Sequence, residues 1–343
     1  MVTMQQIADK CGVSRGTVDR ALHQKEGVRE EVAQRIRDTA REMGYLPIRH
    51  AIAPARQWKL GVVLHSACSA FVQILCQSFS NFSKAENRPN VTVLVRTMDD
   101  IDVYHQLALI DELVNTENID GLALMPLANT LIRDKINAIS EQKGIPVVTF
   151  NTDIEDANRI AYVGADNIAS GRAAAALMGM VMQGRGTILP ILGQRSGHYA
   201  DSQRLTGFQE EMWQSFPQIE VLQPQFSFLD DQLAERITLR AIQSDANLGG
   251  IYISSSGRNG VYRALCQQAL SRHIHVVVHD VTPDNVEMVR KGIVDFIIGQ
   301  DGKTQGRLPL VLLCDYLEHK HFPDQRINIT DITVKFRCNI DNL

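Results

Sequence analysis

Apolar residues along the chain follow two rhythms. Over roughly the first 45 residues they recur at three- and four-residue intervals in short stretches. Ile7, Ala8 and Cys11 share one helical face, which ends at Gly12 and an inward Val13. Ser14 can cap a second helix that turns Val18, Ala21 and Leu22 inward, because its hydroxyl can accept an unpaired backbone N–H. A third helix, from about Arg29 to Met43, points Val32, Ile36, Ala40 and Met43 inward and places Glu30 and Glu31 at its electropositive start. Gly44 ends it and Pro47 follows. The spacing predicts three small helices, the first two joined by a tight turn.

From Leu60 onward the rhythm changes to short apolar runs separated by amphipathic stretches, the signature of repeated strand–helix units. The predicted strands are Leu60–Leu64, Val91–Val95, Gly121–Met125, Pro146–Phe150, Tyr162–Gly164, Thr187–Leu192, Gly250–Ile253, His275–His279, Val294–Gly299 and Thr333–Phe336. That is too many for one comfortable doubly wound sheet. The expected fold class is α/β: an N-terminal all-α head, then two doubly wound parallel-sheet lobes facing across a cleft, with a ligand at the carboxyl ends of the strands. The expected boundaries are 1–46 for the head, 47–59 for a linker and 60–343 for the body. Within the body, 60–164 and 294–323 are assigned to one lobe, 165–293 and 324–343 to the other.

Composition agrees with a soluble protein of two or three domains: 343 residues, 44% hydrophobic and 22% charged. No run of apolar residues is long enough to span a membrane, and Asp9, Lys10, Arg15, Asp19 and Arg20 interrupt the start of the chain where a signal peptide would be apolar. The six cysteines form no CxxC pair, which suits reduced thiols. A cytoplasmic location, without membrane contact, is expected. Charge is divided unevenly. Residues 1–59 hold eleven Lys or Arg against seven Asp or Glu, a net of +4, and the remainder, with 24 basic and 32 acidic residues, carries −8. A basic head on an acidic body points to a polyanionic partner for the head alone.

Three such helices form a helix-turn-helix unit whose second helix can lie in a major groove with Arg15, Gly16, Asp19, Arg20 and His23 outward. An arginine there can bond a guanine edge through two hydrogens, so Arg15 and Arg20 are the base-reading candidates, and Ser14 and Thr17 are placed to hold phosphates. The alternative is an amphipathic helical cap with solvated arginines.

The runs Ile7-Ala8-Asp9-Lys10-Cys11-Gly12-Val13-Ser14, Thr17-Val18-Asp19-Arg20-Ala21-Leu22 and Met43-Gly44-Tyr45-Leu46-Pro47 resemble the DNA-binding head of the lactose-repressor (LacI/GalR) family. The resemblance implies that Arg15 and Gly16 stand at the positions that select the operator and that Arg20 reads a more constant base. Asp19 departs from the family's usual serine. The linker departs further: Pro47-Ile48-Arg49-His50-Ala51-Ile52-Ala53-Pro54 keeps only the proline and Ala51 of the family's hinge pattern and has Pro54 where a leucine wedge belongs. A short or irregular hinge is expected, with Ile52 or Pro54 as the wedge and Arg49, His50 and Arg56 near phosphates.

In the body, the residues after the predicted strands are Ser66 and Phe71, Asn151 and Asp153, Ser254 to Ser256, Asp280, and Gln300 with Asp301. They offer hydroxyl-binding groups and an aromatic face. Tyr162-Val163-Gly164-Ala165-Asp166-Asn167 with Gly171, Arg204-Leu205-Thr206-Gly207-Phe208, His279-Asp280, and Gln300-Asp301 with Gly306 resemble the effector domain of the same family, which shares its fold with periplasmic sugar-binding proteins such as the ribose-binding protein. The resemblance implies that Asp280 accepts hydrogen bonds from ligand hydroxyls, that Gln300 meets the ligand near the hinge, that Arg204 or Ser202 projects into the cleft, and that Phe71 and Phe228 form aromatic walls. Asn151-Thr152 replaces a common Asp-Arg, and Ser254 a common Asn.

Nothing in the sequence assembles enzyme chemistry. The pairs His273/His275 and His319/His321 read as solvated surface features, Gly184-Arg185-Gly186 matches no phosphate-binding loop, and the cysteines lack ordering partners. No metal and no cofactor is expected. Two functions remain: a DNA-binding regulator controlled by a small polyhydroxylated effector (a sugar, polyol or sugar phosphate), or a cytosolic sugar-binding or sugar-metabolising protein whose head serves assembly. The first requires a homodimer on a near-palindromic operator, because one head covers too little DNA to be specific. No leucine-heptad tail follows the last strand to join dimers into tetramers.

Overall fold

The computed structural model describes residues 2–22, 27–43, 56–193, 199–228, 230–267 and 273–341. The chain divides into two compact units, Met1–Arg56 and Gln57–Leu343. His23 and the linker positions from Pro47 to Pro54, Arg49 among them, lie outside the described residues.

The first unit contains helices α1 (Met4–Cys11), α2 (Arg15–Leu22) and α3 (Glu30–Glu42). Thr3 and Gln6 form a reciprocal capping box at the start of α1, and Gly12 ends that helix in the left-handed region at φ 64°. Arg35 on α3 donates to the carbonyl of Cys11 at 3.2 Å, satisfying a C-terminal carbonyl of α1. Ile7, Ala8, Val18, Ala21, Ala33, Ile36 and Ala40 form the core, with Val13, Leu22, Val32 and Met43 half-buried around it.

The second unit contains, in chain order, β1 (Trp58–Leu64), α4 (Ala70–Ala85), β2 (Val91–Thr97), α5 (Val103–Asp111), β3 (Gly121–Leu124), α6 (Thr130–Lys143), β4 (Val147–Phe150), β5 (Ala161–Ala165), α7 (Asn167–Val181) and β6 (Thr187–Leu192). It continues with α8 (Tyr199–Ser215), β7 (Glu220–Val221), β8 (Gln225–Phe226), α9 (Asp231–Ser244), β9 (Leu248–Ile253), α10 (Arg258–Gln267) and β10 (His275–His279). Last come α11 (Pro283–Arg290), β11 (Phe296–Gly299), α12 (Gly302–Gln305), α13 (Leu308–His319), β12 (Ile327–Thr330) and β13 (Thr333–Lys335). The first sheet is parallel, in the order β12-β5-β4-β3-β1-β2. The second runs β13-β11-β10-β9-β6-β7, with β8 also on β6 and β13 antiparallel. The central strands are almost continuously buried, as parallel strands covered by helices on both faces must be. Each lobe therefore has the doubly wound form expected, with a reversal of strand order beside β1 in one and beside β6 in the other.

Two features correct the expected lobe boundaries. β11 pairs with β10 in parallel, Ile298 opposite His279, so residues 296–299 belong to the second lobe. β12, absent from the predicted strands, pairs with β5 in parallel, Ile327 opposite Tyr162, so residues 327–330 belong to the first. The chain thus crosses between the sheets three times, after Ala165, after Gly299 and after Thr330. α13 packs on the first sheet, where Leu310, Leu313, Cys314 and Leu317 join Leu60, Val62, Phe79 and Phe150 in one core.

Candidate functional site

In the head, Ser14 behaves as the sequence predicts: its hydroxyl accepts from the Thr17 amide at 3.1 Å, and the two hydroxyls are 2.8 Å apart. Burying Val18 and Ala21 turns Arg15, Gly16 and Arg20 into solvent, with Thr17 and Asp19 half-exposed. The Arg20 guanidinium lies beside Gly16 and Gly27: a Cβ at Gly27 would stand 3.6 Å from one of its terminal nitrogens. These five residues occupy one continuous outward surface of α2, with two cations on it.

In the body, three of the predicted residues, Asn151, Gln300 and Asp280, lie on a polar chain that runs from lobe to lobe. Asn151, in the left-handed region just after β4, donates to Gln305 Oε1 at 3.0 Å and to Gln300 Oε1 at 3.4 Å. Gln300, on the crossing after β11, donates to Asp280 Oδ1 at 2.6 Å. Arg258 approaches the other Asp280 oxygen at 3.9 Å and donates to the Ser255 carbonyl. Asp280 follows β10 in a positive-φ turn, held by Asn285, whose Nδ2 donates to the carbonyls of His279 and Asp280.

Behind this chain sits a second buried cluster. Asp201, 1% exposed, accepts from Ser254 Oγ and Ser255 Oγ at 2.9 Å and from the Gly193 amide at 3.1 Å. Arg204, one helical turn later and 3% exposed, donates to Asn167 Oδ1 at 3.0 Å and to the Ser254 carbonyl at 2.8 Å. Two of its five donors are thereby matched among the described residues. Gly171 and Gly207 set the closeness of α7 and α8: a Cβ on Gly171 would fall 2.0 Å from the Arg204 carbonyl oxygen, and one on Gly207 2.0 Å from that of Ile168. The glycines in the matched motifs therefore place Arg204. His279 is fully buried between the Tyr252 hydroxyl, 2.9 Å from Nε2, and Ser170. Burial, reinforced by the charges of Arg204 and Arg258, holds its pKa well below the ordinary histidine value and keeps the ring neutral.

Phe71 is buried in the first lobe and abuts Gly302. It lines a cavity of about 300 Å³ with Ile74, Val281, Gln300, Lys303 and Thr333. Ser66, with φ 57°, caps the end of β1 beside His65, whose Nδ1 is 2.9 Å from its hydroxyl. Three expectations need correction. Asp153 is engaged by Arg159 through both carboxylate oxygens and by Thr149 Oγ1, so its charge is consumed within the first lobe. Ser202 is exposed, and its hydroxyl donates to the Tyr199 carbonyl of its own helix. The neighbouring Asp201 faces inward instead, since it lies three residues from Arg204 on the same helical face. Phe228 is 59% exposed and touches only Phe226 among the described aromatic rings, at 6.3 Å. Sequence reasoning missed Asp201, Arg258, Asn285 and Gln305. Only Asp201 left a signal, its i, i+3 spacing to Arg204.

Against known proteins, residues 3–47 match the model of bacterial regulatory proteins of the lacI family, and residues 60–321 match the periplasmic binding protein domain. The HTH-type transcriptional regulator IpsA of Corynebacterium glutamicum is 32% identical over 151 residues, 43% of this chain and 40% of that regulator. The ribose import binding protein RbsB of Haemophilus influenzae is 24% identical over 206 residues, 58% of this chain and 68% of that protein. Matched stretches with the regulators thus span less than half of their length. A solute binding protein from Burkholderia graminis, solved in complex with D-arabinose, superposes with a TM-score of 0.76 at 22% identity over 85% of this chain and 99% of that one, a likeness of fold. Among the described residues no helix is long and apolar enough to cross a membrane. The periplasmic binding protein model covers residues 60–321, well over half of the chain, so the chain belongs to the periplasmic binding protein domain family and carries, over residues 3–47, a head of the type found in bacterial regulatory proteins of the lacI family.

Proposed function

We propose that this protein is a sequence-specific DNA-binding transcriptional regulator, acting as a repressor in the cytoplasm, whose operator affinity is set by a small polyhydroxylated effector bound between the two lobes. The observation that carries the reading is the polar chain from Asn151 through Gln300 to Asp280 and Arg258, which joins residues of both lobes at the crossing between them. Its carboxylate, amides and guanidinium offer acceptors and donors in alternation, the pairing that vicinal hydroxyls require. A ligand that replaces the direct Gln300–Asp280 contact with contacts of its own biases the arrangement of the lobes. Two arginines against two aspartates leave the cleft near neutrality, which favours a neutral sugar or polyol over a sugar phosphate. Coupling of about 1–3 kcal/mol, typical of such linkage, would change operator affinity roughly 5- to 150-fold.

On DNA, Arg15 and Arg20 would read base edges from a groove-facing surface that also holds Gly16, Asp19 and His23, with Ser14, Thr17 and Arg49 at phosphates. Two heads in a homodimer would meet a near-palindromic operator. A fluorescence titration with DNA from the protein's own upstream region, at two salt concentrations and with a panel of sugars, polyols and sugar phosphates, tests the proposal. Salt-steep binding altered by one compound supports it, with a log–log slope of about −0.9 per neutralised phosphate. Sugar binding without any DNA affinity refutes it in favour of a sugar-binding protein whose head serves assembly.

A further inference from the structure

His273 stands two residues before His275, the first residue of β10, and the two rings lie side by side. The sequence reads them as a solvated pair, but the fold adds a third group. Asp295, just before β11, brings Oδ1 to 3.2 Å from both His273 Nε2 and His275 Nδ1, and the three ligand atoms lie within 4.8 Å of one another. The carboxylate is fixed from behind: Oδ2 accepts the Val276 amide at 2.8 Å, and the Asp295 amide donates to the Val276 carbonyl at 2.9 Å. Oδ1 is thereby aimed at the two rings, which meet edge to face with centroids 4.7 Å apart. Among the described residues this is the one group of three such side chains close enough to share an ion.

We infer that His273, His275 and Asp295 form a binding site for a single late first-row divalent metal ion, with zinc, cobalt or nickel as the fitting class. Donors on a tetrahedral ion with bonds of about 2.0–2.1 Å lie roughly 3.3 Å apart, close to the spacing of each nitrogen from Oδ1. Two imidazoles with one carboxylate suit these ions better than calcium or magnesium, which prefer oxygen alone. The exposed His273 ring can swing to close the remaining nitrogen–nitrogen separation, and water completes the coordination. A backbone hydrogen bond orienting the ligating carboxylate is the support that such sites require. The site lies at the amino ends of β10 and β11, whereas Asp280 and Gln300 lie at their carboxyl ends. Bound metal would therefore tie these strands together at the end opposite the effector cleft.

The test uses the full-length protein, stripped with a chelator and titrated with Co²⁺ while its visible d–d absorption is followed, then displaced with Zn²⁺. One equivalent per chain should bind, and His273→Ala and His275→Ala should each weaken binding by about tenfold or more. A His319→Ala, His321→Ala double variant, which removes the other paired histidines, should bind as the parent does. Because Asp295→Asn disturbs a backbone hydrogen bond and can affect folding, the exposed His273→Ala is the decisive variant, with circular dichroism to verify its fold. Absence of a cobalt spectrum, parental affinity in the His273 and His275 variants, or loss of binding in the His319/His321 variant would overturn the assignment.

Discussion

Replacing Gly171 by alanine adds a methyl group where α7 and α8 touch main chain to main chain. Its Cβ would stand 2.0 Å from the Arg204 carbonyl oxygen and 2.9 Å from the Phe208 amide nitrogen. Backbone within a helix cannot rotate aside as a side chain does, so the helices must part by about 1 Å before the shortest contact becomes tolerable. Such overpacking costs about 3 kcal/mol, the upper part of the usual range, and for a domain of this size should lower Tm by roughly 5 °C. The movement also draws the Arg204 guanidinium from Asn167 and from the Ser254 carbonyl, its two described anchors. Gly144→Ala is the matched comparison: that glycine has φ 64° and open space around it, so its cost is only the left-handed conformation, about 1–2 kcal/mol. Urea denaturation followed by circular dichroism measures the stabilities, and titration with the compound that alters DNA binding measures the cleft. Gly171→Ala should lose at least about tenfold in effector affinity, or one factor of ten per 1.4 kcal/mol, while Gly144→Ala keeps it. Wild-type effector affinity in Gly171→Ala would refute the claim that helix proximity positions Arg204.

Other outcomes follow from the same structure. Arg20→Ala should weaken specific operator binding by about 1–3 kcal/mol, measured by fluorescence anisotropy, and leave effector binding unchanged; unchanged DNA affinity would remove Arg20 from base reading. Asp280→Asn keeps the shape of the side chain but loses its charge, and should abolish the effector response while operator binding persists; a retained response would place the effector elsewhere. His279 is held neutral in the folded state, so its contribution to stability is complete above the unfolded histidine pKa near 6.5 and declines as pH falls below it, because the unfolded chain takes up a proton that the folded one refuses. That single group should remove about 1.4 kcal/mol by roughly one pH unit below 6.5. Urea midpoints across this range should fall less steeply in His279→Asn, and equal slopes would contradict a neutral buried ring.

The sequence made the fold legible where burial dictates pattern. Central strands such as Val147–Phe150 and His275–His279 are buried on both faces and stand out as apolar runs, and the head announces itself through Gly12 and Ser14 at the ends of two short helices. Edge strands do not declare themselves this way. β12 alternates Ile327-Asn328-Ile329-Thr330, its two isoleucines are more than half exposed, and nothing in the pattern says which sheet it joins. The same limit moved β11 to the wrong lobe, since a parallel strand's partner is chosen by the crossing segments and not by its own residues. At the site, residues directly after strands could be read because strand ends point there. Asp153 could not be distinguished from a ligand-binding carboxylate until folding brought Arg159 to it, and Asp201 hid behind the choice of which neighbour of Arg204 faces inward.

Both lobes are closed by the last turns of the chain, with β12 sealing one sheet against Tyr162 and β13 the other against Ile298. On the ribosome, a chain released as far as α13 would hold two sheets each short of one strand, with the hydrogen-bonding edges of β5 and β11 left open. Such edges recruit other nascent chains, so chaperone demand should peak just before β12 and β13 emerge. Premature termination before Ile327 would damage both lobes at once, and neither lobe can be produced as a separate continuous fragment.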